Sequence, residues 1–131
     1  MDERWSVHAD RDACDIAMRA PGAGRVAGDE VFVRGAIPDD IRRAVLTVDP
    51  GAVIRSAVEG WSEVSLDGGD ARDRLSRLSA LRLPDPAGYV QGEVARVAAR
   101  VFVDGDAVHV LVPAYWEAYL RRRVEEVSSP R

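Results

Sequence analysis

The sequence predicts an α+β fold: an antiparallel sheet with helices packed on one face. Three observations carry that prediction. Two alternating runs flank Asp104-Gly105, with Val97, Ala99, Val101 and Val103 before it and Val108, Val110 and Val112 after it. An Asp-Gly between such runs marks a tight hairpin, because both turn positions favour positive φ. Apolar residues recur at helical spacing on either side of this hairpin. Ala71, Leu75, Leu78 and Leu81 (or Arg82) precede it, and Trp116, Leu120, Val124 and Val127 follow it. A strand over 61–66 completes the order strand, helix, hairpin, helix, which closes as helices on one side of a sheet.

The elements of the first half are fainter. Residues 5–9 start a strand, Asp10-Arg11-Asp12 is read as a turn, and 15–19 as a second strand. Pro21-Gly22-Ala23-Gly24 reads as a loop. Val31-Phe32-Val33-Arg34-Gly35 has the β-branched and aromatic content of a strand. A helix starts at Ile37-Pro38-Asp39-Asp40, with proline in the first turn and acids at the positive end of the dipole. Its apolar face is Ile41, Ala44, Val45 and Val48, and Asp49-Pro50-Gly51 stops it. Residues 53–58 form the next strand.

In the second half Asp67-Gly68-Gly69-Asp70 is a turn whose last residue N-caps a helix, and Leu83-Pro84-Asp85-Pro86 ends that helix. Residues 94–103 are read as one strand, and Pro113 and Ala114 open the last helix. The expected organisation is a single domain over 1–131. Within it, 1–30 is irregular or an edge-strand start, 31–60 a βαβ segment, and 61–127 the strand-helix-hairpin-helix.

Composition excludes several functions. The chain has 131 residues, 47% hydrophobic and 31% charged, with a formal net charge of −4. All 18 basic residues are arginine, which removes Schiff-base chemistry, a P-loop lysine and a lysine general base together. An acidic chain with mixed signs offers little to a phosphate backbone, so no nucleic-acid partner is expected. Arg121-Arg122-Arg123 sits late in the last helix, where it complements the dipole. No apolar run suits a membrane span and no signal peptide is visible at Met1-Asp2-Glu3-Arg4-Trp5, so neither a membrane nor export is expected. The lone Cys14 allows no internal disulfide and fits a cytoplasmic chain.

Candidate chemistry is sparse. Gly22-Ala23-Gly24-Arg25-Val26-Ala27 matches the G-x-G-x-x-G/A dinucleotide pattern, but a strand follows where a helix N-terminus must hold the pyrophosphate. His8 and Cys14 are the one imidazole–thiol combination close in sequence, too few ligands for a zinc site. Arg100 and His109 are expected roughly in register on the hairpin face opposite Val108 and Val110, as weak candidates for binding an acidic ligand. Tyr115, Tyr119 and Arg122 flank the last helix's stripe and are candidates for a partner interface, whereas Trp116 belongs to the stripe. No catalytic or metal-ligating set emerges.

From Trp61 onward the chain resembles a known family. The run Ser62-Glu63-Val64-Ser65-Leu66-Asp67-Gly68-Gly69-Asp70-Ala71-Arg72-Asp73-Arg74-Leu75 is similar to the strand-Gly-x-x-Ala-x-x-x-Leu segment of glycine-cleavage T-protein-like, folate-binding domains. The hairpin, Gly92-Glu93-Val94-Ala95-Arg96-Val97-Ala98-Ala99-Arg100-Val101, and Val110-Leu111-Val112-Pro113-Ala114-Tyr115-Trp116-Glu117-Ala118-Tyr119-Leu120 are similar to its continuation. Within that superfamily the chain most resembles the gamma subunits of heterotetrameric sarcosine oxidase. The resemblance implies ferredoxin-like βαββα units and a non-catalytic subunit of a flavin-dependent amine oxidase. It also implies larger flavoprotein oxidase subunits as partners. FAD, FMN, NAD and tetrahydrofolate then belong to the complex, with none bound by this chain alone. Two alternatives are a stand-alone binder of a folate-like ligand and an immunity or regulatory protein that binds a protein partner.

Overall fold

The computed structural model describes residues 3–128. It is α+β, with two four-stranded antiparallel sheets and four α-helices. The chain divides into two compact units, 1–59 and 60–131.

The first unit runs β1 (Arg4–His8), α1 (Arg11–Ala17), β2 (Ala23–Ala27), β3 (Glu30–Arg34), α2 (Asp39–Val48) and β4 (Val53–Ser56). Its strand order, β2-β3-β1-β4, is that of a ferredoxin-like βαββαβ unit. Residues 1–30 thus hold a regular strand-helix-strand, and β1 is an inner strand. Trp5 and Val7 lie opposite Val33 and Val31, and that face packs on the helices.

The expected strand over 15–19 is a helix instead. Asp10 caps it: the carboxylate Oδ1 accepts from Ala13 N at 2.9 Å and the carbonyl accepts from Cys14 N at 2.9 Å. Ala13, Cys14 and Ala17, small residues on one helical face, are its buried side. Asp10-Arg11-Asp12 is therefore a cap and first turn. Asp49 joins the two helices, since its carboxylate accepts from Asp10 N at 2.9 Å and from Gly51 N at 3.0 Å. α2 follows expectation from Asp39, with Val45 buried; Val48, at its last position, is exposed.

The second unit runs β5 (Trp61–Leu66), α3 (Ala71–Ser76), β6 (Ala87–Val94), β7 (Val97–Asp104), β8 (Ala107–Pro113), a 3₁₀ turn (Ala114–Trp116) and α4 (Glu117–Ser128). Strand order is β5-β8-β7-β6. Val64 and Leu66 of β5, Val101 and Val103 of β7, and Val108, Val110 and Val112 of β8 share one face. Ala71 and Leu75 of α3 and Leu120 of α4 pack against it. Both helices lie on one face, as the alternating valines require.

Four local expectations are corrected here. Residues 94–103 are two strands, because Ala95 and Arg96 adopt positive φ (51° and 71°) and turn β6 into β7. The β7–β8 turn is Gly105-Asp106, with Asp104 opposite Ala107. Gly105 alone carries the positive φ there, +62°. α3 stops at Ser76, so Leu78 and Leu81 reach the core from the chain beyond it. Asp70 makes no side-chain cap bond; its carboxylate meets Arg74 at 3.3 Å instead.

Candidate functional site

The register of β5 and β8 builds the main polar cluster. Ser65 lies opposite His109 and Glu63 opposite Leu111, so Glu63, Ser65 and His109 share the face away from the valines. Ser65 Oγ lies 3.1 Å from Glu63 Oε2 and 2.8 Å from His109 Nδ1. His109 Nδ1 is itself 3.5 Å from Glu63 Oε2.

The hydroxyl has one proton. With that proton given to the carboxylate, Nδ1 must be the donor to Ser65 Oγ, which fixes the tautomer. Nucleophilic catalysis needs the opposite arrangement: the imidazole takes the hydroxyl proton while the acid holds the other ring nitrogen. Here acid and hydroxyl both meet Nδ1. In this arrangement Nδ1 is a donor to Ser65 Oγ and does not accept its proton.

Arg100 is not opposite His109. It pairs with Leu111, and His109 pairs with Phe102. A one-residue displacement of the hairpin turn shifts cross-strand register by two residues, which accounts for the difference from the sequence expectation. Arg100 stacks its guanidinium over Trp61, 4.1 Å from the ring centroid. Glu63, Ser65 and Trp61 were outside the sequence candidates. The β5–β8 pairing that delivers them joins residues about 45 positions apart, and no local pattern encodes it.

At the start of α4 the aromatic roles differ from expectation. The 3₁₀ turn rotates Trp116 out of the stripe, and it is 40% exposed. Tyr119 packs against the core instead, and its hydroxyl donates to Ala95 O at 2.8 Å. Trp116 makes an edge-on contact with Tyr119 and a tilted one with Tyr115. Tyr115 is 80% exposed and Arg122 is exposed. Tyr119→Ala is therefore expected to cost about 2–4 kcal/mol, losing core contact and a hydrogen bond. Trp116→Ala should cost under ~1 kcal/mol. Thermal melts of the two variants compare them, and equal losses would refute this assignment.

His8 and Cys14 do not form a site. His8 extends from β1 toward Glu30, with Nε2 3.8 Å from Oε2, while Cys14 is fully buried in α1 and its Sγ meets Ala9 O at 3.5 Å. Burial pushes the thiol pKa up, against a smaller lowering by Arg25. The thiol is thus a poor nucleophile at neutral pH. Its contribution to stability is full below the ordinary thiol range, about 8.5, and is lost as pH rises through the folded value. Ellman's reagent at pH 8 should modify native Cys14 at least ~10²-fold more slowly than the urea-unfolded chain. Equal rates would contradict the burial.

The Gly22–Ala27 pattern does not fit a dinucleotide. Gly22 turns into β2, an edge strand that continues to Ala27, and no helix N-terminus follows for a pyrophosphate. Among the described residues, no three His, Cys, Asp or Glu side chains group as metal ligands. No helix among them is long and apolar enough to cross a membrane.

No family model matches the chain, and no curated protein matches it. A solved structure does: heterotetrameric sarcosine oxidase from Corynebacterium sp. U-96 in complex with pyrrole 2-carboxylate. One of its chains superposes with a TM-score of 0.74 at 11% identity, over 99% of this chain and 83% of that one. Over 99% of its length this chain therefore has the fold of a chain of a heterotetrameric sarcosine oxidase.

Proposed function

We propose that this chain is a non-catalytic subunit of a heteromeric, flavin-dependent amine oxidase of the sarcosine oxidase type. The supporting observation is the likeness of fold over 99% of the chain to a chain of such an oxidase. The local chemistry is consistent with it: Ser65 bridges His109 and Glu63, Arg100 is stacked on Trp61, and the thiol is buried. The proposed complex is cytoplasmic, and its larger flavoprotein subunits carry FAD, FMN, NAD and tetrahydrofolate. The alternative, a stand-alone binder of a folate-like acid, needs Arg100 and His109 to leave those neighbours.

Contact with the larger subunits is assigned to the exposed start of α4, Tyr115 with Arg122, with Tyr119 holding that end of the helix in place from beneath. Exposed aromatic and arginine side chains make strong anchors because they bury large area at modest entropic cost. Co-expression with the large flavoprotein subunits of a heterotetrameric sarcosine oxidase tests the reading. The subunits should co-purify, and sarcosine-dependent peroxide should require the large ones. Tyr115→Ala should weaken association by ~1–3 kcal/mol and leave the melting temperature of the isolated chain unchanged. A lone chain that purifies yellow with bound flavin would overturn the proposal.

A further inference from the structure

A cleft of about 460 Å³ in the second unit is lined by Arg77, Leu78, Ala95, Arg96, Tyr119 and Arg123. Three guanidinium groups thus border one concavity. Asp73 meets Arg77 at 3.0 Å and Glu126 meets Arg123 at 3.5 Å. No acid pairs with Arg96 among the described residues, so positive charge is in excess. The Nε of Arg123 is buried and has no hydrogen-bond partner among those residues.

The turn that carries Arg96 is held in an unfavourable conformation. A two-residue hairpin with both φ positive selects Asn-Gly or its relatives, and Ala95 (51°) and Arg96 (71°) take those positions instead. The turn is fixed from both sides, since Ala95 N donates to Leu78 O at 2.7 Å and Ala95 O accepts from the Tyr119 hydroxyl at 2.8 Å. Backbone strain that its surroundings over-determine is concentrated at functional positions. Here the strain places one more guanidinium at a cleft that already has two.

We propose that this cleft is a binding site for a small oxyanion, a carboxylate or phosphoryl group. Arg96 and Arg123 are its principal donors, and Leu78, Ala95 and the Tyr119 ring form its apolar floor. Guanidinium groups suit such ligands because their planar N–H pairs match two oxygens at once. The proposal is independent of any oxidase assembly and concerns the isolated chain.

The test is a titration of the full ¹⁵N-labelled chain with inorganic phosphate and, separately, succinate, each at ionic strength matched with sodium chloride. Saturable shifts at the Ala95, Arg96 and Tyr119 amides are expected for at least one probe. Preference for phosphate assigns a phosphoryl ligand, and preference for succinate a carboxylate. Arg96→Gly should weaken that binding at least ~10-fold. It should also raise the melting temperature by roughly 2–5 °C, because glycine accepts the positive φ. A merely structural arginine would not give this opposite pair of changes. Arg123→Gln, which leaves the turn intact, should weaken binding similarly. Shifts that chloride reproduces, no saturable shift with either probe, or unchanged affinity in both variants would overturn the site.

Discussion

Leu120→Ala is expected to destabilise the second unit by ~3–5 kcal/mol. Leu120 is fully buried, whereas the other apolar side chains of α4 that face the core, Tyr119, Val124 and Val127, are only partly so. It sits among Val64, Leu66, Val110 and Val112 of the sheet and Leu75 of α3, in one contiguous cluster. Truncation removes three carbons from that cluster and leaves a cavity that close-packed neighbours cannot fully collapse. Besides the Tyr119 hydroxyl, α4 is tethered by exposed polar contacts such as Arg74 Nη1 to Ser128 Oγ at 2.9 Å and Arg121 Nη2 to Glu63 O at 3.2 Å. Exposed ion pairs and hydrogen bonds of this kind contribute too little to compensate. Urea unfolding followed by far-ultraviolet circular dichroism should show the lower midpoint, with Trp116→Ala as the control that barely moves it. If Leu120→Ala costs no more than that control, α4 is not anchored through its apolar stripe.

The same helix shows how far sequence pattern reaches. The spacing of Leu120, Val124 and Val127 fixes α4 and its inward face, because a helix puts i, i+4 and i+7 on one side. It cannot extend that phase back through the 3₁₀ turn at Ala114–Trp116, where three residues make a full turn and Trp116 rotates outward. The valine alternation in β7 and β8 likewise determines which side of the sheet meets the helices. The turn does not follow from it as directly: Asp104-Gly105 and Gly105-Asp106 both place a Gly in the hairpin, and the choice moves Arg100 from His109 to Leu111.

The first unit was less legible for a different reason. α1 is seven residues long and buries alanine and cysteine, so it gives no bulky apolar stripe; its clearest signal is the Asp10 cap. The β6–β7 turn lacks the Asn-Gly chemistry that marks such turns, and so β6 was not visible as a strand. The Glu63–Ser65–His109 cluster depends on the pairing of two strands far apart in the chain, which no spacing rule supplies. Departures from local rules concentrate at the Ala95-Arg96 turn, where the residues present are not those the conformation prefers.

Gly22→Ala is expected to cost ~2–5 kcal/mol, through two independent penalties. Gly22 has φ +78°, the left-handed region, where a side chain crowds its own backbone. A Cβ there would also collide with the carbonyl oxygen of Arg34, a backbone atom that cannot swing aside. The close approach is built in, because Gly22 O accepts from Arg34 N at 2.8 Å where β2 begins beside β3. Relief would require parting those strands at that end, and β2 has no other neighbour in its sheet. Two further glycines separate the penalties. Gly105 has φ +62° but open space around it, so Gly105→Ala should cost only the conformational share, ~1–2 kcal/mol. Gly69 has neither a positive φ nor a neighbour within 4 Å, so Gly69→Ala should stay within ~0.5 kcal/mol of the parent. Urea midpoints of the three variants should fall in the order Gly69, Gly105, Gly22, from least to most affected. Gly22→Ala no worse than Gly105→Ala would mean that the β2–β3 junction yields, and that the first unit does not depend on this contact.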